Sequence, residues 1–242
     1  MTITATYAKN LTRRILHGSG SISLVPYKLD PTRSIPVALH GIDAVGRLIV
    51  VCHADEAAWL PHTEVRVDGV KKALELSTSI TVASLHGTGQ LTWLPYGESV
   101  AGIGLAPAPH LRFGVVELEQ VHLHWPCGAT LVRMSELDGG VADDAPAIDE
   151  LEVRDRLDAL GERRLASLHT EVLTGLIDGE VLDDRKLALS ANHRDRVWVG
   201  DVDDQGIMLI GAGTERISVT FVRFPQPADS PAGIADAVAA LA

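Results

Sequence analysis

The chain has 242 residues, of which 46% are hydrophobic and 22% are charged, and its formal net charge is −11 with neutral histidines. This length and apolar fraction allow one large or two modest domains with packed cores, and they argue against an intrinsically disordered protein. The acidic balance repels phosphate backbones and anionic bilayers. We therefore expect neither a nucleic-acid partner nor a membrane surface.

The compartment is predicted from the cysteines and from the start of the chain. Cys52 and Cys127 are the only cysteines, which are too few for a disulfide scaffold and favour a reducing compartment. Residues 1–9 lack the apolar segment of a signal peptide, and no apolar run reaches the roughly 20 residues of a membrane span. These features predict a soluble, cytoplasmic protein.

Residues 1–135 predict a mainly β domain. A helix over residues 7–17 is expected to stop at Gly18 and Gly20. Alternating or continuous apolar runs then predict strands over residues 21–27, 36–43, 47–53, 64–76, 79–94, 111–125 and 129–134. Because no long helices separate these runs, which supply six or more strands, we expect an antiparallel split β-barrel with six strands in the barrel itself.

The composition changes after this region, where the Asp-rich stretch 136–150 contains Gly and Pro and reads as an acidic linker. Residues 151–242 predict a small α+β domain of a helix, a three-stranded sheet and a helix. Its first helix is expected over residues 149–177, with Gly161 as a point where it could split in two. The apolar stripe of that helix comprises Leu157, Leu160, Leu165, Leu168, Val172 and Leu176.

The remaining elements of this domain are predicted from the alternation of apolar and polar residues and from turn residues. Residues 180–196 are predicted to be irregular or to contain a short helical turn. Strands are expected on both sides of a turn at residues 203–206 and again over residues 217–221, where apolar and polar side chains alternate. A last helix is predicted to bury Ile234, Val238 and Leu241 on one face.

Ten histidines are many for this length. His122 and His124 lie two apart on a predicted strand and so face the same side, with Cys127 close behind them. They are either a fragment of a zinc or haem site or two solvent-facing histidines on the barrel wall. His86 shows no partner at a recognisable spacing.

Two further features could hold a ligand. His169 falls on the apolar stripe, where a buried imidazole needs a hydrogen bond or a metal, and the hydrogen-bonded, structural role is the commoner of the two. Arg66, Lys71 and Lys72 form the main basic cluster, in which Arg66 and Lys72 share one strand face and Lys71 takes the other. Such a cluster either binds a phosphate or a propionate or is ordinary solvated surface.

The order of these segments resembles the HugZ-like haem-utilisation family, which belongs to the wider FMN-binding split-barrel group that includes pyridoxamine phosphate oxidases. In the barrel, the similarity lies in residues 37–43, 46–50, 64–69 and 80–93. In the small domain, it lies in the helix bearing His169, in the turn Asp203-Asp204-Gln205-Gly206-Ile207 and in residues 219–225.

The resemblance implies a homodimer, with binding of haem or another tetrapyrrole in some members and haem breakdown in a few. It implies propionate binding by Arg66 or Lys72, with Lys71 beside them, and an iron bond from His169. FMN is a less favoured ligand, because only these three basic residues could serve its phosphate. The alternatives are an FMN-dependent oxidoreductase and a cofactor-free interaction or regulatory module, and the sequence leaves open whether the protein is an enzyme.

Overall fold

The computed structural model describes residues 3–43, 45–75, 79–99, 103–137, 149–187 and 195–241. It divides into two compact units. The described residues of unit 1 fall within Met1–Lys71 and Ala83–Asp143, and those of unit 2 within Lys72–Val82 and Asp144–Ala242. Most of the predicted linker 136–150 lies outside the described residues, so the domain boundaries at 135 and 151 remain predictions. No helix in the described part of the chain is long and apolar enough to cross a bilayer.

Unit 1 is built on a curled antiparallel half-barrel sheet, in which the described residues form nine strands. The sheet order is β2-β1-β5-β6-β7-β4-β3, and β8 pairs with β6 and with β9. The elements are α1 (Ile3–Arg14), a π-helical turn (Ile15–Ser19), β1 (Ser21–Val25), β2 (Ile35–Pro36), β3 (Leu39–Ile42), β4 (Leu48–His53), α2 (Ala54–Ala57), β5 (Thr63–Lys72), β6 (Thr81–Trp93), β7 (Leu111–Leu118), β8 (Gln120–Trp125), β9 (Gly128–Arg133) and a 3₁₀ turn (Met134–Glu136).

The segment between β2 and β3 bonds to strands near both ends of the order β2-β1-β5-β6-β7-β4-β3. The Val37 amide donates to the Ile22 carbonyl at 3.0 Å, and the next amide, of Ala38, donates to the Val51 carbonyl at 2.8 Å. The segment therefore leaves β1 and joins β4. Residues 48–52 of β4 are buried on both faces, which confirms the prediction of a central strand from their unbroken apolar run.

The predicted count of six strands is wrong, because the sheet has nine strands among the residues that the structure describes. The run 111–125 bends at Glu119 into β7, which pairs with residues 89–93 of β6, and β8, which pairs with residues 84–86. Glycines in β6 let the bend approach, since a Cβ on Gly87 would lie 2.8 Å from the Gln120 carbonyl oxygen. β2 has only two residues, which is too short to show alternation.

Within its described residues, unit 2 packs three helices with a four-stranded antiparallel sheet of order β10-β13-β12-β11. Asp149 caps the first helix by accepting from the amides of Leu151 and Glu152. Gly161, at φ 86°, separates the first two helices, so the predicted split is confirmed. The elements are α3 (Glu150–Leu160), α4 (Glu162–Leu173), β10 (Gly179–Lys186), β11 (Arg196–Val202), β12 (Gly206–Ala212), β13 (Arg216–Arg223) and α5 (Pro231–Ala240).

Two predictions for unit 2 are wrong. Its sheet has four strands rather than three, because β10 occupies part of the stretch predicted to be irregular. The register of β10 against β13 shifts between Val181 and Asp183, and such a bulge breaks the alternation by which a strand is recognised. Leu176 is 76% exposed rather than part of the helix stripe, because α4 ends at Leu173.

A buried histidine connects β3 to the turn after α1 through a hydrogen bond. His40 lies within unit 1, and its Nε2 donates to the Ile15 carbonyl oxygen at 2.8 Å. Burial lowers the pKa of His40 below its usual value, because the charged ring would lose its hydration. The folded chain therefore keeps this imidazole neutral at pH values where the unfolded chain takes up a proton.

We expect His40 to make the protein acid-sensitive. The unfolded chain protonates this group near pH 6.5, so its contribution to stability is complete above about pH 7.5 and is lost as the pH falls below about 6.5. Urea unfolding at about pH 7.5 and 5.5 should show a smaller loss for His40→Gln than for the wild type. His110→Gln, which changes an exposed histidine, should behave as the wild type; equal losses in all three proteins would contradict the expectation.

Candidate functional site

Three imidazoles stack on one face of the unit 1 sheet. His86 of β6 lies directly across from His122 of β8. Its ring centroid is 5.3 Å from that of His122 and 5.0 Å from that of His124, with interplanar angles of 12° and 18°. His122 and His124 are exposed and alternate with buried residues along β8, so their predicted common face is confirmed. We call these three side chains the imidazole stack.

An ion pair lies beside the imidazole stack. The Arg66 guanidinium binds the Asp68 carboxylate through Nε and Nη2, and both charges influence His86. Partial burial lowers the pKa of His86, and the charges of His124 and His122 lower it further. A neutral imidazole keeps one nitrogen lone pair, which is the form that bonds a metal.

The stacking limits what the three rings can bind. Parallel rings about 5 Å apart face each other rather than converge at their edges. Among the described residues, no group of three or more His, Cys, Asp or Glu side chains is placed to hold a metal ion. The arrangement therefore offers single imidazoles to a metal whose other ligands come from elsewhere, and it does not form a chelate.

A polar cleft continues the same strip of sheet. Thr88 follows His86 by two positions, and Gln120 precedes His122 by two, so both belong to the outward-facing rows. The cleft has a volume of about 440 Å³ and is lined by Glu64, Thr88, Gly89, Gln90, Glu117, Leu118, Glu119 and Gln120. Its polar and acidic lining is unlike the mostly apolar wall of a pocket that encloses a small molecule.

The predicted basic cluster does not act as one group. Arg66 is exposed and bound to Asp68, whereas Lys71 is only 2% exposed on the opposite side of β5. Lys72 is exposed and donates to the Thr81 hydroxyl at 2.8 Å. The predicted alternation of the three side chains is confirmed. Of the three, Arg66 is the one whose charge influences the imidazole stack through His86.

His169 lies in unit 2, between α4 and the sheet, and is 5% exposed. Its Nδ1 is 2.8 Å from the Thr220 hydroxyl and its Nε2 is 2.9 Å from the Ser218 hydroxyl. Both partners lie on β13, and the ring also lies against Gly211 of β12, so His169 packs on the β12–β13 hairpin. Burial lowers the pKa of His169, and the ring is therefore neutral at pH 7.

The two hydroxyls occupy both ring nitrogens of His169. Thr220 is fully buried, and among the described contacts its hydroxyl has the ring nitrogen as its hydrogen-bond partner. If Thr220 donates to Nδ1, then Nε2 carries the proton and donates to Ser218. In this state neither ring nitrogen has a free lone pair, and a metal could bind only after one of these bonds breaks.

Thiol chemistry is not supported at Cys52. Its side chain is buried, and burial, with the nearby Glu56 charge, raises its pKa to about 12. The thiol therefore stays protonated and unreactive. Cys127 is exposed in the turn between β8 and β9.

The sequence did not identify His86 as a member of the site. Alternation on β6 could have placed His86 on the outer face, but the pairing with His122 depends on the register between β6 and β8. Residues 94–119, which include β7, separate those strands in the chain, and no local spacing encodes their register.

Comparison with known proteins gives a fold likeness. No protein-family model matches the chain, and no curated protein matches it. A heme-binding protein from Mycobacterium smegmatis is similar to it over 100% of this chain and 96% of its own, at 14% identity and a TM-score of 0.50. A protein of unknown function from Agrobacterium tumefaciens is matched over 98% of this chain and 95% of its own, at 14% identity and a TM-score of 0.31. The chain thus shares a whole-length, split-barrel-like fold with a haem-binding protein.

Proposed function

We propose that this protein binds haem, or a closely related tetrapyrrole, on the face of unit 1 that carries the imidazole stack. The stack itself carries the proposal, because it presents histidine side chains beside a guanidinium. One histidine of the stack would hold the iron of a bound haem, since a single protein imidazole is a common iron ligand in haem proteins. The haem binding of a protein with the same fold supports this assignment.

The residues fit the two ends of such a ligand. His122 and His124 are exposed and therefore accessible to an iron. Arg66, beside His86, is the candidate partner for a propionate, because guanidinium binds carboxylates through two parallel hydrogen bonds. A bound haem would supply an iron centre for ligand binding or electron transfer, while this chain would bind and orient it.

Three other residues that the sequence proposed as ligands are weaker candidates than the imidazole stack and Arg66. His169 remains a second candidate for the iron bond, but its use requires Nε2 to leave Ser218. Lys72 remains a candidate for binding a propionate. Lys71 is a less favoured candidate because it is buried. We further propose that the protein is a cytoplasmic homodimer and that it takes part in haem utilisation or breakdown.

Two other functions are kept as alternatives. An FMN-dependent oxidoreductase would need several donors around the phosphate, whereas Arg66 is the one basic side chain of the predicted cluster whose charge influences the stack. A cofactor-free interaction module would need no ligand at all. A flavin titration followed by absorbance distinguishes the first alternative, and the absence of any binding to haem or flavin would favour the second.

We expect the variant with His86, His122 and His124 all replaced by Ala to bind haem at least about tenfold more weakly, because the loss of a metal ligand costs at least as much as the loss of its support. Haem titration followed by the Soret band measures this. Each single variant should bind more tightly than the triple variant, since another imidazole of the stack remains. A control with His53 and His110 replaced by Ala, both exposed, should bind as the wild type. Unchanged affinity and spectrum in the triple variant would refute the site.

A further inference from the structure

We infer that Asp68 is a specificity residue of this face, which competes with the carboxylate of the ligand for Arg66. The inference rests on the proposed function, since it concerns how the same face selects its ligand. It assigns to the face a class of ligands, the planar tetrapyrroles with free carboxylates, and it identifies the group that they must displace.

The geometry of the pair supports the competition. Arg66 Nε lies 2.8 Å and 3.0 Å from the two carboxylate oxygens of Asp68, and Nη2 lies 2.7 Å from Oδ2. Asp68 thus occupies one edge of the guanidinium with the two-bonded arrangement that a propionate would use. A ligand carboxylate must displace Asp68 from this edge or share the guanidinium with it.

The pair is open enough to exchange partners. The Arg66 side chain is 45% exposed and that of Asp68 is 32% exposed. Exposed ion pairs are weak because water solvates both charges. The need to displace Asp68 should therefore lower the affinity for the ligand only modestly. The pair can then select ligands that carry a carboxylate without preventing their binding.

The position of the pair links it to the imidazole stack. Arg66 and Asp68 lie two apart on β5 and alternate with the buried Val65 and Val67, so they share the outer side of the strand. Their charges reach His86 of the neighbouring β6. A planar ligand held by an imidazole of the stack would carry its carboxylates within the influence of the same pair.

The test compares haem with haem dimethyl ester, whose carboxylates are blocked while its iron is the same. Asp68→Asn should bind haem about two- to fivefold more tightly than the wild type, as expected for the removal of an exposed competing ion pair. This gain in affinity should shrink in high salt, because it comes from the exposed charge of Arg66, which salt screens. The ester should bind equally well to both proteins, and Arg66→Gln should bind haem more weakly than the wild type.

Asp184→Asn is the matched control. Asp184 forms the same kind of two-bonded pair with Arg216 in unit 2, with Nε–Oδ1 at 2.9 Å and Nη2–Oδ2 at 2.6 Å. This variant should bind haem as the wild type. Asp68→Ser serves as a second variant if the amide perturbs the strand, and thermal unfolding checks that each protein is folded.

The outcomes separate the inference from the proposed function. If the wild type binds no haem, the proposed function fails and the inference with it. If the wild type binds haem but both Asp68 variants bind with wild-type affinity, the inference alone is wrong. An equal gain for haem and for its dimethyl ester would also overturn it, because the carboxylates would then play no part.

Discussion

Gly211→Ala is expected to destabilise the protein by about 2–4 kcal/mol, through overpacking and the loss of hydrogen bonds from a buried group. A Cβ at Gly211 would overlap the His169 ring, lying 2.6 Å from Cδ2 and 2.9 Å from Cε1. The ring cannot move aside while it keeps both hydroxyl partners, since it is bonded at each nitrogen. The methyl group must therefore displace either the imidazole or α4.

Urea unfolding of the variant measures this loss. Gly213→Ala, in the same hairpin, is the matched control, because its Cβ would meet its nearest atom, the Arg216 carbonyl oxygen, at 3.7 Å. The double variant Gly211→Ala/His169→Ala should lose less than the sum of the two single losses, since removing the ring also removes the overlap. Equal stability of the two single glycine variants would show that the ring does not pack on Gly211.

Local sequence patterns predicted the elements that alternate or carry strong breakers. The unbroken apolar run in β4 and the helix break at Gly161 were both predicted correctly, because each depends on residues that are neighbours in the chain. β10 was missed because its bulge disrupts alternation. The bend at Glu119 was missed because it is set by the approach to glycines of β6 rather than by a turn residue.

The candidate site depended on contacts that the sequence does not encode locally. The common face of His122 and His124 follows from their spacing alone, whereas the third ring, His86, requires a register between distant strands. The buried position of His169 could be predicted from the helix stripe, but its two hydroxyl partners and the glycine beneath it could not. Local spacing thus gave the direction of these side chains, and tertiary packing gave their partners.

His169→Ala is expected to destabilise the protein by about 1–3 kcal/mol while leaving haem affinity within about twofold of the wild type. The loss follows from the contacts of a ring that is 5% exposed and from the buried Thr220 hydroxyl, which loses its hydrogen-bond partner. Haem affinity should change little because the proposed iron ligands belong to the imidazole stack of unit 1. Thermal unfolding and haem titration of the same preparation measure the two effects.

Two variants sharpen this result. His169→Asn, with a smaller polar side chain, should recover part of the stability, whereas His110→Ala, at an exposed site, should leave both stability and affinity unchanged. If His169→Ala keeps wild-type stability but loses haem affinity, His169 is the iron ligand and the imidazole stack is not. If it changes neither property, the ring does not make the contacts that hold α4 on the β12–β13 hairpin. A loss of stability alone would establish His169 as a structural residue, because its two nitrogens then serve the hydroxyls of β13 and no ligand.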